Sequence, residues 1–125
     1  MTETSSNSQP VWVEEIRLTE AGRSLDVTFE AGEKHKLSAE YLRVESPSAE
    51  VQGHGKDQKI CVGGKAGVAI IKIDPVGNYA VRLTFDDMHS TGIFSWDYLL
   101  KLGRNHEVIW SAYLARLEAE GKNRT

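Results

Sequence analysis

Apolar and polar residues shift their spacing along the chain, and each shift marks an element. Val11, Val13, Ile16 and Leu18 alternate imperfectly with polar neighbours. After Glu20-Ala21-Gly22, the run Leu25-Asp26-Val27-Thr28-Phe29 alternates strictly, the two-residue repeat of a half-buried strand. The two runs predict a β-hairpin. A second turn at Ala31-Gly32-Glu33, leading to an extended piece that ends near Leu37, makes it a small antiparallel meander. Ser38 is placed to cap a short helix, with Glu40 in the first turn where a negative charge suits the helix dipole and Tyr41-Leu42 as its apolar contact. Ser46-Pro47 stops that helix, because the proline ring biases the residue before it away from helical backbone.

From Val44 to Ala66 the spacing is irregular and rich in Gly, Lys and polar side chains. Loops longer than about 15 residues without structure are uncommon in compact domains and are usually functional, so this stretch is the first place to look for a site. Gly67 to Ile73 then reads as a buried strand, Asp74-Pro75-Val76-Gly77-Asn78 as a tight turn, and Tyr79 to Phe85 as the neighbouring strand. A turn at Asp86 to His89 leads to a short Thr91 to Phe94 piece. Ser95 caps a helix carrying Trp96, Leu99, Leu100 and Leu102, with Gly103 suited to a left-handed exit. From Asn105, a longer helix sets Val108, Ile109, Tyr113, Leu114 and Leu117 at three- and four-residue spacings and stops near Gly121. Without repeats or linkers, this is a polar tail over 1–9 and a single domain over 10–121. The predicted class is α+β, an N-terminal meander and a central hairpin with the C-terminal helices packed on them in two layers.

Composition narrows the functional classes. At 125 residues, 40% hydrophobic and 26% charged, the chain has material for one core and matches neither a disordered nor a membrane protein. A net charge of -3 argues against nucleic acid as the main partner, since phosphate binding needs a basic face. Cys61 is alone and cannot form an internal disulfide, and the first residues carry neither the basic nor the apolar region of an export signal, which places the protein in the cytoplasm. The longest apolar run, around Val68 to Ile71, falls far short of the roughly 20 residues of a bilayer span.

Motifs that carry chemistry are incomplete. Gly63-Gly64-Lys65 resembles the end of a phosphate loop, but Lys59 stands where the first glycine belongs and Ala66 where the hydroxyl belongs. His106-Glu107 begins like a zinc-protease helix, yet Trp110 occupies the second histidine position. Asp87-Met88-His89 with the distant His54 has the residue types of an iron centre and reads better as a polar turn. Cys61 has no companion that marks it as a nucleophile, and no serine lies in a Gly-x-Ser-x-Gly elbow. Trp96, Tyr98, Trp110 and Tyr113 are better read as packing than as an aromatic cage for a cation. No catalytic residue and no cofactor is expected.

The stretch Leu42-Arg43-Val44-Glu45-Ser46-Pro47-Ser48-Ala49-Glu50-Val51-Gln52-Gly53-His54-Gly55, together with Pro75 to Asp87 and His89 to Leu99, resembles the gamma-butyrobetaine hydroxylase-like N-terminal domain family over about Trp12 to Leu117. In oxygenases of carnitine synthesis, that domain precedes a separate iron and 2-oxoglutarate catalytic domain and holds a structural zinc through three cysteines and a histidine; related domains are attached to ATPases that handle iron-sulfur clusters. The resemblance implies a stand-alone member that inherits no oxygenase activity. It places the family's Cys-x-Cys-x-x-Cys ligands at Ser46, Ser48 and Val51 and keeps the histidine as His89, which implies a metal-free corner held by hydrogen bonds among Ser46, Ser48 and the Asp86 to His89 turn.

The expected function is therefore a non-catalytic accessory or interaction module that docks another protein or a small ligand, with no nucleic acid or membrane partner. The candidate binding residues are Arg43, Ser46, Ser48, Glu50, His54, Asp86, Asp87, His89 and Trp96. The alternative is metal or iron-sulfur handling through His54, Cys61 and His89.

Overall fold

The computed structural model describes residues 11–52, 59–88 and 92–125. Strands β1 (Val13–Thr19), β2 (Ser24–Phe29) and β3 (Lys34–Ser38) form an antiparallel sheet in the order β1-β2-β3. The strict alternation of the central strand sends Leu25, Val27 and Phe29 into the core, and Leu25 lies opposite Leu18 on one side and Leu37 on the other. A 3-10 turn over Glu20–Gly22 joins the first two strands. Gly22 has φ +85, and a Cβ there would collide with the Ile70 carbonyl, so this turn is also where the first sheet meets the second.

Ser38 caps helix α1 (Ala39–Val44) as its position predicts: its Oγ accepts the Tyr41 amide at 3.0 Å, and every residue of the helix is buried. The following irregular stretch contains one further turn of helix, α2 (Ala49–Gln52), which the proline-biased reading does not anticipate. The second sheet, order β4-β5-β6, comprises Ile70–Val76, Ala80–Phe85 and Ile93–Ser95, all antiparallel. Its first strand starts later than the apolar run suggests and continues through Pro75, which lies opposite Val81; the turn shrinks to the residues around Gly77, at φ +55. Proline is tolerated because β4 is an edge strand whose outer side needs no ladder donor.

Helix α3 (Trp96–Arg104) begins with Ser95 Oγ accepting the Tyr98 amide at 3.1 Å, again the predicted cap. Gly103 does not make a left-handed exit. It is helical, and a Cβ there would run into the ring of His35 on β3, so its smallness serves the contact between α3 and the first sheet. Helix α4 spans His106–Ala119, and Gly121, φ +68, follows its cap.

One core joins both sheets: Leu25, Leu37, Ile70, Leu83, Phe85 and Phe94 pack with Tyr41 of α1 and Leu99 and Leu102 of α3. Burying side chains of this size contributes about 1.5–3 kcal/mol each before the entropy of ordering them is counted. Tyr41 is fully buried and satisfies its hydroxyl by donating to the Leu102 carbonyl at 2.7 Å. A smaller cluster of Val44, Cys61, Tyr113 and Leu117 ties α4 to the end of α1. The apolar spacing of α4 overstates its burial, however: Tyr113 and Leu117 are buried, whereas Val108 is 72% and Leu114 38% exposed. Among the described residues, no helix is long and apolar enough to cross a membrane.

Candidate functional site

The end of α1 and the turn after β5 meet at a polar corner. Arg43 donates through Nε to Asp87 Oδ2 at 2.9 Å, and Lys65 reaches the same oxygen at 2.5 Å. The arginine is buried, and its Nη1 has no hydrogen-bond partner. Beside it Ser46 and Ser48 are buried; Ser46 Oγ donates to Ser48 Oγ at 3.3 Å and accepts the Ser48 amide at 3.3 Å. Gln52 Nε2 donates to the Ser46 carbonyl at 2.9 Å. Gly92 closes over this knot, and a Cβ on it would lie 2.5 Å from Ser46 Oγ. Four of the candidate residues, Arg43, Ser46, Ser48 and Asp87, therefore belong to this one corner.

The others stand elsewhere. Asp86 clasps the end of the β4–β5 ladder, its Oδ1 accepting the Ala69 amide at 3.1 Å while its own amide donates to the Ala69 carbonyl at 2.8 Å. Trp96 starts α3; its indole donates to the Asn78 carbonyl at 2.9 Å, and it lines a separate cleft of about 200 Å³ with Trp12, Tyr79 and Asp97. His54, His89 and the side chain of Glu50 lie outside the described residues.

The zinc that the resemblance brings to mind does not suit these donors. Zinc takes thiolate, imidazole or carboxylate ligands, whereas Ser46 and Ser48 offer neutral hydroxyls already engaged with each other, and Val51 is an apolar side chain buried in the interior. Among the described residues, no three His, Cys, Asp or Glu side chains are grouped to hold a metal ion. Cys61 is buried, and burial first, then the Glu120 carboxylate, push its thiol above the ordinary range, the opposite of what a thiolate ligand or nucleophile needs.

The larger feature is one that sequence spacing does not reveal. Beside the corner, a groove of about 600 Å³ runs between the 59–61 segment and helices α3 and α4, with Pro47 and Gln52 at its corner end. Val44, Leu102, Ile109 and Tyr113 line it with apolar surface, and Ile60, 48% exposed, and Val108 stand on its lip. Lys59, Lys101 and Arg116 border it, Lys59 paired with Glu45 and Arg116 with Glu120. The carboxylate of Glu45 lies beneath, buried and paired with Lys59 at 2.5 Å. Tyr98 donates to the Glu45 carbonyl at 2.5 Å, and burial, then the charge of Glu45, raise its phenol well above the ordinary value. The far wall is pinned to α4, since Tyr113 Oη donates to the Val62 carbonyl at 2.7 Å and Arg116 Nη2 to the Lys59 carbonyl at 2.6 Å. The only sequence signal for this groove is the pair of apolar residues, Val108 and Ile60, that the fold leaves uncovered.

Two small antiparallel sheets with C-terminal helices laid on them define an α+β domain. By sequence, residues 16–100 match the family described as gamma-butyrobetaine hydroxylase-like, N-terminal, and the chain belongs to that family. Two proteins solved in solution by NMR are similar over nearly the whole chain: one is 40% identical with a TM-score of 0.80, covering 93% of this chain and 91% of the other. The second is 46% identical, also at 0.80, covering 94% and 87%. A crystal structure of a DUF971 family protein of unknown function from Acidithiobacillus ferrooxidans is 40% identical with a TM-score of 0.60, covering 73% of this chain and 91% of that one. No curated protein matches.

Proposed function

We propose that this chain is a non-catalytic accessory module that docks a segment of a partner protein in the groove between the 59–61 segment and helices α3 and α4. The observation that carries this reading is the position of Val108 and Ile60, exposed at 72% and 48% on the lip of an apolar cavity of about 600 Å³. A small ligand enclosed by the groove leaves those two side chains in water, whereas a protein surface laid across it covers them. Lys101 on the rim favours a partner segment bearing an acidic side chain beside its apolar anchors. Ser46, Ser48, Arg43 and Asp87 serve in this reading as the rigid corner that fixes Pro47 and Gln52 at one end of the groove. A non-catalytic role is supported by the chemistry of the candidates: burial raises the Cys61 thiol and the Tyr98 phenol, and the Asp87 carboxylate is held by two cations.

The test is site-specific photocrosslinking in cells, with the crosslinking residue placed at position 108 or 60 and, as a control, at exposed position 15 on the first sheet. A discrete adduct from the groove positions that is lost on Val108→Asp and absent from position 15 is expected. Identical adduct patterns from all three positions overturn the reading.

A further inference from the structure

Beyond α4 the chain folds back along the 61–66 segment. Gly64 donates its amide to the Asn123 carbonyl and Ala66 its amide to the Arg124 carbonyl, both at 2.9 Å. Gly63 passes so near that a Cβ there would lie 2.8 Å from the Asn123 oxygen. Lys122 donates its ammonium to the Cys61 carbonyl at 2.9 Å. Arg124 makes a two-pronged contact with Glu40, Nε to Oε2 at 2.8 Å and Nη2 to Oε1 at 2.7 Å, and its guanidinium lies 5.5 Å from the centre of the Trp110 ring.

Each group on the receiving side is one that proteins use to hold an extended peptide: backbone amides at an edge, a carbonyl facing a lysine, a buried carboxylate facing an arginine, an aromatic face and a glycine allowing close approach. The residues they hold are not core material. Lys122, Asn123 and Arg124 are exposed, and none carries an apolar side chain that would explain their order by burial. Glu40, by contrast, is buried and depends on the incoming guanidinium for its salt bridge. Gly121, in left-handed backbone with no atom near the place of a Cβ, ends the turn after α4 and directs the chain toward that segment.

We infer that the surface made by Cys61 to Ala66, Glu40 and Trp110 is a recognition site for an extended segment carrying a lysine and an arginine two residues apart, and that Lys122–Arg124 is its built-in occupant. The tail is then a ligand held in cis, which competes with any segment of the same chemistry offered in trans. Tethering gives it a high effective concentration, so a short free peptide competes poorly until the tail's own contacts are removed.

The experiment uses the full chain carrying Lys122→Ala and Arg124→Ala, titrated with a synthetic peptide of residues 119–125. The readouts are the NMR shifts of the Gly64 and Ala66 amides and of the Trp110 indole. Saturable shifts are expected in the variant, with apparent binding to the native chain at least about tenfold weaker because its own tail occupies the site. A peptide with alanine in place of the arginine is expected to lose the effect. Absence of saturable shifts in the folded variant, or equal shifts from the arginine-free peptide, overturns the inference. So does a double variant that no longer folds, since an occupant that can be exchanged is not one on which folding depends. The groove reading keeps its own test, because crosslinking at positions 108 and 60 is read at residues that are not part of this surface.

Discussion

The guanidinium of Arg43 and the carboxylate of Asp87 meet at 2.9 Å across 44 residues of sequence, in a place where the arginine has almost no access to water. Removing one member of such a pair leaves the other desolvated and unbalanced, whereas replacing a buried charge by an apolar side chain of similar length removes the desolvation cost along with the attraction. Asp87→Ala is therefore expected to destabilise the fold by about 3 kcal/mol. Arg43→Met is expected to cost much less, because Nη1 is already unsatisfied and Lys65 still pairs with Asp87. Urea denaturation of both variants checks the order, and an Asp87→Ala protein as stable as Arg43→Met contradicts it.

Ser46 and Ser48 meet through their hydroxyls inside the polar corner. Both are buried, and Ser46 Oγ accepts the Ser48 amide, so truncation takes a hydrogen-bond acceptor away from a buried backbone donor. The double change Ser46→Ala, Ser48→Ala is expected to cost about 1–3 kcal/mol and to lower Tm by several degrees. Differential scanning calorimetry measures it directly, and an unchanged Tm removes the hydroxyls from any role in closing the corner.

Two glycines with similar backbone separate strain from contact. Gly22, φ +85, lies against the Ile70 carbonyl; Gly32, φ +94, has no heavy atom near the position of a Cβ. Alanine at position 32 meets only the left-handed backbone penalty, about 1–2 kcal/mol. Alanine at position 22 meets the same penalty and must also push β4 away from the first sheet, so it is expected to cost about 1–3 kcal/mol more. Equal losses of Tm in the two variants rule out the close approach as a determinant of how the sheets join.

Local chemistry was legible in the sequence wherever it was sufficient. The serines at 38 and 95 cap helices because a side-chain oxygen three residues before a free amide does so almost regardless of surroundings. The alternation of β2 survives because it is the middle strand of its sheet. Pro75 was misleading for the converse reason: whether proline ends a strand depends on whether that strand is an edge, which is settled by β5 and β6. Gly103 has the composition of a helix terminator, and only the ring of His35, far away in sequence, reveals it as a packing position. Of the site, the contact between Ser46 and Ser48 lies at positions the resemblance singles out, whereas the pairing of Arg43 with Asp87 has no signal in the sequence. The groove was hidden because Val108 has the spacing of a core residue, and helical periodicity alone does not say which apolar positions the rest of the chain will cover.

The acid limb of stability carries a further prediction. Glu33 accepts two hydrogen bonds from Arg104, at 2.9 and 2.7 Å, and one from His35 at 2.7 Å. These partners, Arg104 foremost, hold its carboxyl down to about 2, against an ordinary 4.5. The folded state therefore releases this proton more readily than the unfolded chain. The resulting stabilisation is fully present above pH 4.5 and is lost as pH falls from there through about 2. Because Arg104 is exposed, the effect is screened by salt and shows best as a slope. Urea midpoints measured between pH 4.5 and 2 are expected to fall less steeply for Glu33→Gln than for the native chain, and the two curves are expected to converge in 1 M salt, where screening reaches about 3 Å. Parallel curves at low salt show that the Glu33 contacts with Arg104 and His35 carry no free energy.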